Sequence, residues 1–156
     1  MRERVTACIG LGANLGDAAQ QVRQAAQALA QSEGCEDAHL SPLYRTAPHQ
    51  ASGPDYVNAV LRLQTRLTAP ALLQLLQQLE QQAGRERPYV NAPRTLDLDL
   101  LFYGDARIDS PSLQVPHPRW SSRAFVLHPL RDVCPQRVPE ALLAAVSDQP
   151  IQLLSC

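Results

Sequence analysis

Asp97 and Asp99 stand two residues apart in the run TLDLDLLFY, with a leucine on either side of each. Side chains alternate along a strand, so both carboxylates point to one face, roughly 6.5–7 Å apart along the chain, and the leucines point to the other. Carboxylates held that close repel each other unless a cation stands between them. Hard oxygen ligands suit Mg²⁺, which takes one or two carboxylates and fills its shell with water and substrate phosphates. A D-x-D on an alternating strand is also met as a plain solvent-facing strip, and the spacing alone leaves both readings open.

The flanking cations favour the metal reading. Arg94 lies just before the pair, Arg85 and Arg87 lie upstream in GRERPYVNAPR, and His117 (VPHPRW) and Arg123 (SSRAFVLHPL) follow downstream. Arginines converging on two carboxylates would balance a polyphosphate together with its metals, although each taken singly also reads as an ordinary surface charge. All 14 basic residues are arginine. A Walker-type phosphate loop, which needs a lysine, is therefore excluded, and any anion must be held by guanidinium forks. The segment GLGANLGD lacks the G-x-G-x-x-G spacing, and close backbone packing after a first strand explains its glycines equally well. These pieces point to phosphoryl chemistry without naming a substrate.

The elements that must position them follow from pattern. Residues 5–10 read as a strand, and residues 17–31 as a helix with Asp17 as N-cap and Gly34 as stop. Residues 39–46 read as a strand, 47–55 as a Pro/Gly-rich loop, and 56–65 as a strand. Residues 70–82 form the clearest helix, opened by Pro70 and closed by Gly84, and residues 95–103 form a strand stopped at Gly104. The order β-α-β-β-α-β predicts an α+β, ferredoxin-like fold with an antiparallel sheet. Short C-terminal elements follow, with helices near residues 122–133 and 139–146. No repeat or linker divides residues 1–156, so one domain is expected.

A net charge of −1 argues against a general nucleic-acid binder, and no apolar run reaches the roughly 18–20 residues of a membrane span. The first residues, MRERVTACIGLG, lack the long apolar region and cleavage site of a signal peptide. Cys8, Cys35, Cys134 and Cys156 are scattered, with no metal-ligand spacing, which predicts free thiols and a cytoplasmic location. No heptad pattern or long edge strand argues against a monomer.

From Val5 to Pro135 the chain resembles the 6-hydroxymethyl-7,8-dihydropterin pyrophosphokinases of folate biosynthesis, in GLGANLGD, SPLYRTAP, GPDYVNAV, PRTLDLDLLFYG, VPHPRW and RAFVLHPL. That resemblance implies transfer of pyrophosphate from ATP, as co-substrate, to the pterin hydroxymethyl oxygen. It also implies two Mg²⁺ ions on Asp97 and Asp99. Tyr56 and Phe125 would sandwich the pterin, and Asn58 would bind its polar edge, with Thr46, Ala47, Pro48, His49 and Asp97 beside it. Gln77, Glu80 and Leu100 would lie along the nucleotide, and Arg85, Arg87, Arg94, His117 and Arg123 would hold the phosphates. Of these, Arg85, Arg94, Asp97, Asp99 and His117 would carry the catalysis. The family's loop motif R-W-G-P-R is replaced here by Val90-Asn91-Ala92-Pro93-Arg94, with Tyr89 as the nearby aromatic. The change motivates an alternative reading, a pterin- or nucleotide-binding module that does not turn over.

Overall fold

Alternate residues of β1 (Val5–Ala13), namely Ala7, Ile9, Leu11 and Ala13, are at most 2% exposed, which makes this strand the centre of the sheet. The computed structural model describes residues 3–14, 17–47, 55–83 and 96–154. Following β1 come α1 (Ala18–Ala30), β2 (Cys35–Leu40), β3 (Tyr44–Thr46), β4 (Tyr56–Thr65), α2 (Ala69–Ala83) and β5 (Asp97–Tyr103). A small hairpin, β6 (Ile108–Asp109) and β7 (Gln114–Val115), leads to α3 (Ala124–Val133), α4 (Glu140–Ala145) and β8 (Gln152–Leu153). β1 lies between β5 and β4, and β4 is paired on its far side by β2 and β3, all antiparallel. With β2 and β3 counted as one interrupted strand, this is the expected ferredoxin-like arrangement.

Local chemistry accounts for the element ends. Asp17 Oδ1 accepts the Gln20 N–H at 3.1 Å and starts α1, whose buried Val22, Ala25, Ala26 and Leu29 repeat at helical spacing. α1 closes at Gln31, whose N–H donates to the Gln27 carbonyl at 3.1 Å, and Gly34, the expected stop, takes its positive φ of 86° three residues on, in the turn into β2. At α2 the cap is Thr68, whose hydroxyl accepts the Ala71 N–H at 3.1 Å, ahead of the expected Pro70; Gly84 lies outside the described residues. The expected strand 39–46 is two strands. Pro42 has no N–H to give a ladder, and at the break the Ser41 hydroxyl accepts the Val60 N–H at 3.0 Å. β1 also runs three residues further than expected, because Leu11 and Ala13 continue the buried alternation.

The sheet has two differently used faces. Helices α1 and α2 cover one, over Ile9, Leu11, Leu61, Leu63, Leu98 and Leu100. α3 covers half of the other, over Cys8, Val60, Leu101 and Phe102. A bulge opposite Cys8 and Ile9 lets both Leu101 and Phe102 face α3, since Leu100 pairs Ile9 while Phe102 pairs Cys8. Polar bonds tie α3 down: the Tyr44 hydroxyl donates to Asp132, and Arg62 Nη1 donates to the Val133 carbonyl at 2.7 Å. Arg137 lies 4.1 Å over the Phe102 ring and donates to the Gly104 carbonyl.

Three features fall outside the sequence expectations. The β6–β7 hairpin, the pairing of β8 with β3 (Tyr44↔Leu153, Arg45↔Gln152) and the short turn Trp120–Ser122 carry too few residues to show a period. Cys8, Cys35 and Cys134 are free thiols, and burial, with Cys134 adjacent, pushes the Cys8 thiol up to about 12; Cys156 lies outside the described residues. No helix among the described residues is long and apolar enough to cross a membrane.

Candidate active site

Antiparallel register decides which side chains share the half of the sheet that α3 leaves uncovered. Asp97 pairs Gly12, Gly12 pairs Asn58, and Asn58 pairs Tyr44, so these four form one row across β5, β1, β4 and β3. Beside it, Asp99 pairs Gly10 and Gly10 pairs Val60. Both carboxylates are exposed while Leu98 and Leu100 between and after them are buried, as the alternation requires. Asp97 and Asp99 thus stand beside Gly12 and Gly10, with the Asn58 amide leaning over Gly12 and the Leu101 side chain over Gly10. Two strand spacings, about 9–10 Å, separate the backbone of Asp97 from that of Asn58.

That placement of the amide requires Gly12. A methyl there would stand 2.9 Å from Asn58 Oδ1, displacing an amide whose Nδ2 donates to the Thr46 hydroxyl at 3.2 Å. Asn58 is a buried polar side chain, 6% exposed. Tyr56 pairs Thr46, and it projects to the same face as Asn58, two residues on. Phe125 sits in the first turn of α3, partly buried, with the Arg123 guanidinium 5.3 Å from its ring centre.

His117 is fixed by its own loop. Its N–H donates to the Leu101 carbonyl at 3.0 Å, and the adjacent Trp120 ring meets Phe102 edge-on at 4.9 Å. The Arg119 N–H donates to His117 Nδ1 at 3.1 Å, which puts the proton of the neutral ring on Nε2. Desolvation lowers the imidazole pKa below its ordinary 6.5; Asp99 pulls upward, and Arg123 and Arg119 add to the lowering. The ring is therefore a neutral donor near neutral pH, close enough to Asp99 and Arg123 to feel both charges.

The residues expected along a nucleotide fall only partly within the described chain. Glu80 Oε2 accepts the Leu98 N–H at 2.9 Å, so its carboxylate grips the backbone between the two aspartates. Gln77 is exposed on α2 and, three residues before Glu80, shares its side of the helix. The Leu100 side chain is 4% exposed in the core, which leaves its main chain as the part able to meet a ligand. Thr46 is half-buried and Ala47 exposed. Pro48, His49, Arg85, Arg87 and Arg94, with Tyr89 and the altered 90–94 stretch, lie outside the described residues. Sequence reasoning missed the bond from Glu80 to Leu98 and took the glycines for packing. The one available signal was that Gly10 and Gly12 alternate like Asp97 and Asp99.

The lowered His117 pKa has a measurable sign. In nucleotide-free and metal-free protein, the His117 ring should titrate below 6.5 when followed by NMR. Between that midpoint and 6.5 the unfolded chain binds more protons than the folded one, so stability falls as pH drops through this window. His117→Gln should remove that part of the slope; an imidazole midpoint at or above 6.5 would contradict the assignment.

Comparison with known proteins bears on the family and the fold. Residues 8–135 match the family model of the 7,8-dihydro-6-hydroxymethylpterin-pyrophosphokinases. A 2-amino-4-hydroxy-6-hydroxymethyldihydropteridine pyrophosphokinase of Pseudomonas aeruginosa is 39% identical over 94% of this chain and 94% of that protein. The Synechocystis enzyme of the same name is 41% identical over 85% of this chain and 68% of its own length, and the Bacillus subtilis enzyme is 36% identical over 94% and 89%. Among solved structures, one described as HPPK-DHPS in complex with substrates superposes with a TM-score of 0.67 at 12% identity, covering 93% of this chain and 43% of that one. A Plasmodium falciparum HPPK-DHPS gives 0.59 at 12% identity, over 84% and 38%. The chain spans less than half of those two structures, and at such identity they speak to the fold alone. By its family match and its relatives, the chain belongs to the 7,8-dihydro-6-hydroxymethylpterin-pyrophosphokinase family.

Proposed function

We propose that the uncovered sheet face is where this chain, a pyrophosphokinase of folate biosynthesis, brings ATP and 6-hydroxymethyl-7,8-dihydropterin together. The observation that carries the reading is the row Asp97, Gly12, Asn58, with Asp99 in the next row, which puts two carboxylates and a buried amide on one face of the sheet around two glycines. The pterin stands over this row, its amide-like edge read by Asn58 with Thr46 and by backbone from Ala47, Pro48 and His49. Tyr56 and Phe125 stack on its faces in offset geometry. In this pose the hydroxymethyl arm points to Asp97 and Asp99.

The donor set, exposed carboxylates two residues apart on a rigid strand, fits hard divalent cations, and we assign two Mg²⁺ to Asp97 and Asp99. Such ions neutralise phosphate charge and make the alcohol a better nucleophile. The chain's own groups do the positioning. Glu80, through the Leu98 N–H, holds the Asp97–Asp99 strand in register, with Gln77 and the Leu100 main chain along the nucleotide. His117 Nε2–H, Arg123, Arg85, Arg87 and Arg94 donate to the triphosphate. The hydroxymethyl oxygen bonds to the β-phosphorus, its proton is released, and the bond to the bridging oxygen of the α-phosphate breaks to give AMP. Transfer of this kind rests on alignment and charge stabilisation more than on a strong base. We take residues 1–156 as one domain acting as a cytoplasmic monomer on small molecules, with no nucleic acid and no membrane.

Release of AMP from ATP and Mg²⁺ should depend on added pterin; pterin binding without AMP would instead fit a non-catalytic module. Asp97→Ala or Asp99→Ala should lower turnover by about a thousandfold, ~4 kcal/mol, and near-normal turnover in either would end the two-metal assignment. Gly12→Ala should raise the pterin KM by about tenfold, because the Asn58 amide is pushed out of place. Pterin fluorescence titration and a thermal melt will separate that loss from unfolding.

A further inference from the structure

Helix α3 begins without a cap of its own. Its N-cap residue is Arg123, whose side chain makes no capping bond. Ala124, the first helical residue, is 2% exposed, so its N–H needs a partner from the protein. The partner comes from the far C-terminal segment. Gln149 Oε1 accepts the Ala124 N–H at 2.8 Å, and Nε2 of the same amide donates to the Ser122 carbonyl at 2.9 Å.

One planar amide thus grips the residues on either side of Arg123. Gln149 is itself held, since its N–H donates to the Val146 carbonyl at 3.0 Å and Val146 and Ile151 pack in the second core. It lies beyond residue 135, where the family match ends.

We propose that Gln149 is a positioning residue for Arg123, and through the start of α3 for Phe125. The inference rests on the reading of Arg123 as a phosphate-side cation. Arg123 sits in extended conformation (φ −124°, ψ 118°), and the direction of its side chain is set by the two residues that Gln149 fastens. A small backbone rotation there is magnified at the end of a long side chain, and it carries Phe125, whose ring lies 5.3 Å from the guanidinium, along with it. The uncharged amide also suits the place. A carboxylate would cap the helix and complement its dipole, but it would attract the Arg123 guanidinium away from a bound anion. An amide caps without that competition, and its second half holds the Ser122 carbonyl as well.

The test is steady-state AMP formation by the full chain, comparing wild type with Gln149→Ala, Gln149→Glu and Leu143→Ala. The last thins the packing of α4 against the second core without touching the amide. Gln149→Ala should raise the ATP KM roughly tenfold with a smaller change in kcat. Leu143→Ala should lower Tm and leave that KM in place. Gln149→Glu keeps an acceptor for the Ala124 N–H, so it carries the test if the alanine variant does not fold. Its ATP KM should also rise, by a factor that shrinks as salt screens the added charge. A wild-type ATP KM in both Gln149 variants, with Tm lowered, would leave Gln149 as a staple for the C-terminus and end the positioning role. A wild-type chain that releases no AMP would overturn the functional reading itself, and this role with it.

Discussion

The alternation of leucine and aspartate along β5 is the constraint on which the rest of the structure depends. Leu96, Leu98 and Leu100 are each at most 5% exposed beneath the two long helices, and burying them fixes the strand so that Asp97 and Asp99 must face the other way. A slip of one residue would bury two carboxylates, which no local partner set could offset. The leucines therefore hold two like charges side by side against their repulsion, and the site inherits its rigidity from the core. Glu80 adds to the same arrangement. Its carboxylate comes from α2, the helix that packs on β5, and is bound to the one N–H that lies between the aspartates. A third negative group near the pair deepens its attraction for cations.

The second sheet face has to be half core and half site, and the bulge in β5 marks the division. Before it, Asp97 and Asp99 face Gly12 and Gly10; after it, Leu101 and Phe102 both turn to α3. The His117 loop is pinned at this boundary, through the Leu101 carbonyl and the Trp120–Phe102 ring contact. The donor imidazole thus stands where packed sheet gives way to open sheet, half desolvated, which is why its pKa falls. Bulges beside functional sites commonly redirect side chains in this way.

Much of this was legible in the sequence wherever a period runs long enough. The 56–65 strand was read to the residue, and α1, α2 and β5 to within about two, because burial imposes its spacing on each. The expected strand 39–46 hides its break at Pro42 because Leu40 on one side and Leu43, Tyr44 and Thr46 on the other outweigh one proline. In the site, Asp97 and Asp99 announced themselves through spacing. The arginines drew notice by flanking that pair, whereas Tyr56, Asn58 and Phe125 are identified only by resemblance, since nothing local distinguishes them from core residues. The Gly10–Gly12 pair needed the register of three strands before its purpose was visible. Gln149 could not have been found at all, as an amide that caps a helix 25 residues away leaves no mark on its own segment.

The parts of the proposed pterin site come from two bodies, the sheet and α3, and the bonds between them set its width. Asn58 is on β4 and Thr46 on β3, while Phe125 and Arg123 are at the start of α3. Arg62, four residues along β4 from Asn58, fastens the last turn of α3 through the Val133 carbonyl. Tyr44, paired in register with Asn58, fastens the same turn through Asp132, and burial together with the Asp132 carboxylate drives the Tyr44 phenol pKa upward, so the donor persists. These two bonds fix one end of the helix to the strands that carry Asn58 and Thr46. The Gln149 amide fixes the other end. With both ends held, the gap between Phe125 and the sheet floor is set before any ligand arrives, and binding energy need not be spent in closing it. The described part of the proposed pterin site is thus held from the sheet and from both ends of α3.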